Sequence, residues 1–185
     1  MDFFRAIVVF CLALVFLSQS AISTAGDLVV ISKIARRGAV HLGNCMAERE
    51  LKSRMLSAVN EARAQSRRCG YRFCQKVRPL RWNSRLAQAA LIHSNDMAKH
   101  GLFSHEGSDN SLMLDRVQKT GYQPRVLGEN LAKGQKDVDE AVESWIKSPH
   151  HCLNLMFPDF QEMGASCVMD QRGKRYWTLI LAAPF

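Results

Sequence analysis

The apolar residues of this chain change period between Leu155 and Gly164, and that change restricts the fold class. Upstream, Leu51, Met55, Leu56, Val59 and Ala62 recur at three- and four-residue steps, the stripe of an amphipathic helix. Downstream, Gly164 to Met169 and Arg175 to Ala182 are strand-like runs on either side of Asp170-Gln171-Arg172-Gly173, a hairpin signal. Helices come first and strands mainly last. That order predicts an α+β domain with helices packed on a small antiparallel sheet.

Local signals divide the helical part. The first helix is expected to end near Arg68, with Gly70 behind it as a stop. Pro79-Leu80-Arg81-Trp82 is an extended connector, because proline cannot continue a helix. Asn83 then caps a second helix, with Leu86, Ala90, His93 and Met97 on one face. His100 is expected to extend that face, and Gly101 to close the helix. Leu112 to Thr120 forms a third helix that stops at Gly121. Asp137 can cap a fourth, with Val138, Ala141, Val142 and Trp145 inward. Ser148-Pro149 reads as N-cap and first position of a fifth, which carries His151, Cys152 and Leu155.

The N-terminus reads as a targeting segment. Arg5 precedes an apolar run from Ala6 to Leu17, then small and polar residues up to Ala25. The run of ~12 residues is short of the ~20 that span a bilayer. A signal peptide is expected over residues 1–25, a leader or linker over 26–46 and one domain over 47–185; an uncleaved anchor is the alternative for the first segment. A secreted or periplasmic monomer with no membrane span after signal removal is the expectation. Export means oxidising conditions, so disulfides are expected among Cys45, Cys69, Cys74, Cys152 and Cys167. Five is odd, which leaves at least one thiol, and no CxxC pair argues for a metal.

The net charge is +8, and eight basic residues between Ala62 and Asn95 stand without an acidic one. An exported basic surface seldom meets nucleic acid; an anionic envelope polymer or a lipid headgroup is the better partner. A solvated cationic face explains the same charges.

Three residues far apart in sequence carry the candidate chemistry. His105 follows a helix stop, Glu129 lies on a tight, partly extended segment, and His151 sits in the first turn of a helix, where the positive helix end favours the neutral imidazole. Together they suit a Zn²⁺ site, an acid/base pair or a buried polar network, and spacing alone does not choose. There is no HExxH, no GxSxG and no phosphate-binding glycine loop.

At these residues the chain resembles a known family. Phe103-Ser104-His105, Gly128-Glu129-Asn130-Leu131-Ala132 and Trp145-x-x-Ser148-Pro149-x-His151-Cys152-x-Asn154-Leu155-Met156 are similar to motifs of the CAP superfamily, whose module is also called the SCP domain. Pro79 to Asn83, His93 to Ala98 and the aromatic pair Tyr176-Trp177 support the likeness, which covers about residues 51–185 and is closest to short bacterial exported members.

The resemblance implies an α-β-α sandwich with a surface cleft that holds two histidines and two acidic residues. His105, Glu129 and His151 take three of those places, and Ser148 stands where the eukaryotic pattern has the second carboxylate. Glu143, one turn earlier, is a candidate replacement for that charge. The resemblance further implies a Cys69–Cys152 disulfide and leaves a two-histidine Zn²⁺ site at His105 and His151 open. Cys167 is left to pair with Cys74 or Cys45. The implied function is an exported, non-enzymatic binding module for a lipid or envelope ligand. A zinc-dependent hydrolase or peptidase using His105, Glu129 and His151, and a basic-surface interaction protein, are the alternatives.

Overall fold

The computed structural model describes residues 42–185. The expected signal peptide and most of the expected leader lie outside the described residues. Strand β6 (Glu162–Met169) and strand β7 (Arg175–Pro184) form the expected hairpin. The Asp170 carboxylate accepts the backbone N–H groups of Arg172 and Lys174, and Gly173 takes the left-handed conformation that the turn requires (φ 75°). Strand β5 (Pro124–Lys133) runs antiparallel to β7. On the far side, β1 (Gly43–Asn44) pairs antiparallel and β4 (Arg81–Trp82) parallel with β6. The order is therefore β1-β6-β7-β5, with β5 at an edge.

Alternation along the strands assigns the layers. Met163, Ala165 and Cys167 of β6, with Trp177, Leu179 and Leu181 of β7, join a core with helices α1 (Glu48–Arg63), α4 (Val138–Lys147) and α5 (Pro149–Leu155). Ile180 and Ala182 face Leu86, Ala89 and Ala90 of helix α2 (Ser84–His100) and Val117 of helix α3 (Met113–Lys119). Val168 and Tyr176 meet Met97 and Ala98 farther along α2. Both faces of the sheet are covered, so this is an α-β-α sandwich of the α+β class.

Local signals place most of the helices. Asn83 accepts hydrogen bonds from the N–H groups of Arg85 and Leu86, and Asp137 accepts from that of Glu140. Gly101 closes α2 at φ 66°. Helix α1 departs from expectation. It stops at Arg63, and the following residues form a two-stranded hairpin, β2 (Arg67–Cys69) and β3 (Arg72–Cys74). Gly70 is the turn of that hairpin, not a helix stop. The reason is Arg63, the last helical residue. Fully buried, its guanidinium donates to the carbonyls of Arg78, Leu155 and Phe157, which draws the chain into the core at that point. Burial also lowers its pKa to about 10. Arg63 thus leaves the expected cationic face.

His100 also differs from expectation: it is exposed and bonds Asp96 rather than extending the apolar face. Two disulfides tie the layers, Cys69–Cys152 and Cys45–Cys167, and Cys74 is the free thiol among the described residues. Residues 43–45, expected in the leader, are held to β6 by strand pairing and by the Cys45–Cys167 bond. No helix of the described residues is long and apolar enough to cross a membrane.

Candidate functional site

The central group is a buried carboxylate on the edge strand. Glu129 has the same parity on β5 as Leu131, which packs with α2, so its side chain points to the α2–α3 face. There it is 5% exposed. One oxygen lies 2.7 Å from His105 Nδ1, and the other accepts from Arg116 Nη2 at 2.9 Å. Arg116, on α3, is 1% exposed and also donates to the carbonyls of Ser111 and His105. The arginine therefore does two jobs. It neutralises Glu129, as a buried charge requires, and it fixes the loop that presents His105.

His93 forms the floor of this network. It is fully buried on α2, and its Nε2–H donates to the Ser104 carbonyl at 2.8 Å. The same nitrogen is 4.0 Å from Glu129 Oε1, while Nδ1 has no partner. Burial holds the His93 pKa below the ordinary imidazole value. This is a neutral core histidine whose bond positions the Phe103-Ser104-His105 segment.

His151 arrives from the other face of the sheet. Asn130, next to Glu129 and so of opposite parity, donates to the His151 carbonyl at 3.0 Å. Asn154 of α5 donates to the side-chain oxygen of Asn130 and to the Glu129 carbonyl on β5. The two histidines thus flank the edge strand β5, one from each layer. They are near enough for His105 to influence His151. Burial first, and then the charge of His105, lower the His151 pKa. The His105 pKa is raised, mainly by its bond to Glu129. At neutral pH the pair is one imidazole biased toward the charged form beside one biased toward the neutral form.

Ser148 occupies the N-cap position of α5, but its hydroxyl makes no capping bond. Its N–H closes α4 on the carbonyls of Ser144 and Trp145. Glu143 does not supply the missing carboxylate: it is exposed on α4, pairs with Lys147 at 2.5 Å and lines a separate pocket with Glu61 and Arg67. Arg116 was not legible as a site residue, since an arginine on a short helix carries no motif. Asn154 lay within a quoted motif, but only the pairing of α5 with β5 reveals its task.

The donor set bears on the metal reading. Glu129 is buried with both oxygens hydrogen-bonded, so the accessible donors of the expected set are the two imidazoles. Among the described residues no group of three or more His, Cys, Asp or Glu side chains is arranged to hold a metal ion. Two ligands fall short of the three or four protein donors of a resident zinc.

Comparison with known proteins bears on the family and the fold. The family model described as CAP, cysteine-rich secretory protein family, matches residues 56–181. The uncharacterized protein YkwD of Bacillus subtilis (strain 168) is 32% identical over 94 residues, which cover 51% of this chain and 37% of that one. The chain therefore spans well under half the length of that relative. Among solved structures, an extracellular protein containing an SCP domain from Bacillus anthracis superposes with a TM-score of 0.62 at 23% identity, over 73% of this chain and 41% of that one. An outer surface protein from Borrelia burgdorferi superposes with the same TM-score of 0.62 at 14% identity, over 80% of this chain and all of that one. These two likenesses speak for the fold.

Proposed function

Because the chain belongs to the CAP, or cysteine-rich secretory protein, family, we propose that it acts outside the cytoplasm as a non-enzymatic binding module. Its ligand is a lipid or another component of the cell envelope, held in the cleft at the edge of β5. The observation that carries this reading is the state of Glu129. A general base must come within hydrogen-bond reach of the substrate proton, and Glu129 is buried. Here one oxygen faces Arg116 and the other His105. The carboxylate orients the histidine and favours its charged form. With Ser148 at the position of a second acid, no free carboxylate from the expected set is left for acid/base chemistry. A positively biased His105 beside a neutral His151 suits recognition of a polar or anionic headgroup. The two disulfides and the extracellular or surface-exposed proteins among its structural relatives support a location in an oxidising compartment.

Liposome flotation of the purified protein tests the reading. Binding to envelope lipids that falls about tenfold or more in a His105→Ala, His151→Ala double variant is the expected result. No binding to any envelope lipid or polymer, or hydrolysis of peptide substrates lost in the same variant, would remove it. Metal analysis separates the zinc hydrolase: equal zinc content in parent and variant is expected.

A further inference from the structure

A groove of the described residues lies apart from the two histidines. It has a volume of about 780 Å³ and lies where the end of α2, the end of β5 and the β6–β7 turn meet. Lys99, Lys133, Arg172 and Lys174 line it, against the single carboxylate of Asp170. One oxygen of that carboxylate accepts two backbone N–H groups of its own turn, and four cations to one anion leave the groove with an excess of positive charge. Among the described residues none of the four cations lies within ion-pairing distance of an acidic side chain; the pairs formed elsewhere involve other residues. Lys133 is the best anchored. Its Nζ sits 4.8 Å from the Tyr176 ring centroid and 3.5 Å from the Gly101 carbonyl. That contact also offsets the negative end of α2, which would otherwise oppose an anion here.

The backbone of the groove is open as well. Gly101, Gly134 and Gly173, one from each element, line it, and all three have positive φ. A Cβ built at Gly101 or Gly173 would touch nothing within 4 Å. A ligand can therefore approach the main chain at these turns.

We propose that this groove binds a linear, phosphate-bearing polyanion through several consecutive phosphates. Four unpaired cations around one space make a local excess of positive potential. Lysine ammonium groups and a forked arginine match phosphate oxygens. The groove far exceeds one phosphate and runs along three elements, so a chain of anionic groups fills it where a single headgroup does not. This site shares no lining residue with the cleft at His105 and His151 and does not rest on the function proposed there.

The test is titration of the full chain with short linear inorganic polyphosphate, with monophosphate and with phosphatidylglycerol vesicles. The groove variant is Lys99→Ala, Arg172→Ala, Lys174→Ala. A control of equal charge, Arg49→Ala, Lys52→Ala, Lys76→Ala, changes exposed residues elsewhere. Polyphosphate binding tighter than monophosphate, weakened about tenfold or more in the groove variant and little changed in the control, is expected. All six positions are exposed, so unaltered melting curves are expected alongside. Equal weakening in both variants would mean that net charge alone is read, and would overturn the proposal. So would no polyphosphate binding, or groove-dependent binding to vesicles alone. A His105→Ala, His151→Ala variant leaves polyphosphate binding unchanged, which separates failure here from failure of the cleft.

Discussion

Glu129 is the residue on which the site depends. It is paired on both oxygens and buried, and so is Arg116. Removing one partner of such a pair leaves an uncompensated buried charge, which costs about 3–5 kcal/mol. Glu129→Gln is accordingly expected to lose that much stability in urea denaturation, and His105→Ala much less, because His105 is the exposed end of the network. The histidines make a separate prediction by NMR titration. The His105 pKa should lie above the ordinary ~6.5 and those of His93 and His151 below it. His105 adds stability below ~6.5 and loses it as pH rises through its raised value. His93 and His151 do the opposite: their unfolded forms bind protons first, so stability falls as pH drops below ~6.5. Thermal melts from pH 7 to 5 isolate the His93 contribution: a His93→Gln variant should lose less stability on acidification than the parent.

At the scale of elements, the contact of α2 with β6 sets the central layer. A Cβ at Gly164 of β6 would overlap the backbone of Leu86 and Ala87 on α2. Helix and strand touch main chain to main chain there, and only glycine permits it. Overpacking against side chains costs about 1–3 kcal/mol. Because neither backbone can move aside, Gly164→Ala should exceed that range or prevent folding, as read by guanidinium denaturation. Gly101→Ala is the comparison. It meets no neighbour, keeps only its positive φ and should cost about 1–2 kcal/mol. Strand β5 shows why elements differ in legibility. Its run from Pro124 to Lys133 contains Pro124, Gly128, Glu129 and Asn130, none a strand former. Its extended form comes from pairing with β7, in one register from Val126 to Lys133, so only the expectation of a partly extended segment was available. The β6–β7 hairpin, by contrast, was readable because turn and strand chemistry sit together in sequence.

In the whole molecule, the disulfides join distant parts of the chain. Cys69–Cys152 closes 83 residues and Cys45–Cys167 closes 122. In the chain-entropy model each contributes about 4–5 kcal/mol by restricting the unfolded state. Paired substitution of Cys69 and Cys152 by alanine is expected to lower stability by that order in chemical denaturation. A loss well under 1 kcal/mol would mean that the α5–hairpin contact holds without the bond. Cys74, packed beside Cys69 and Cys152, should be the thiol among the described residues that reacts with an alkylating reagent in the native oxidised protein.

The division between what was legible and what was not follows the range of the forces. The sequence by itself determined the helix faces apart from His100, the caps at Asn83 and Asp137, the stops at Gly101 and Gly121 and the final hairpin. Each rests on hydrogen bonds or conformations within a few residues. Ordered motifs, together with family likeness, were enough to single out His105, Glu129 and His151 and to imply the Cys69–Cys152 pair. Only the tertiary structure decided that Arg116 holds Glu129, that Cys45 rather than Cys74 meets Cys167, that Arg63 ends its helix in the core and that the two histidines flank one edge strand from opposite layers. Those facts depend on which surfaces are buried together over long separations, and no local pattern carries that information.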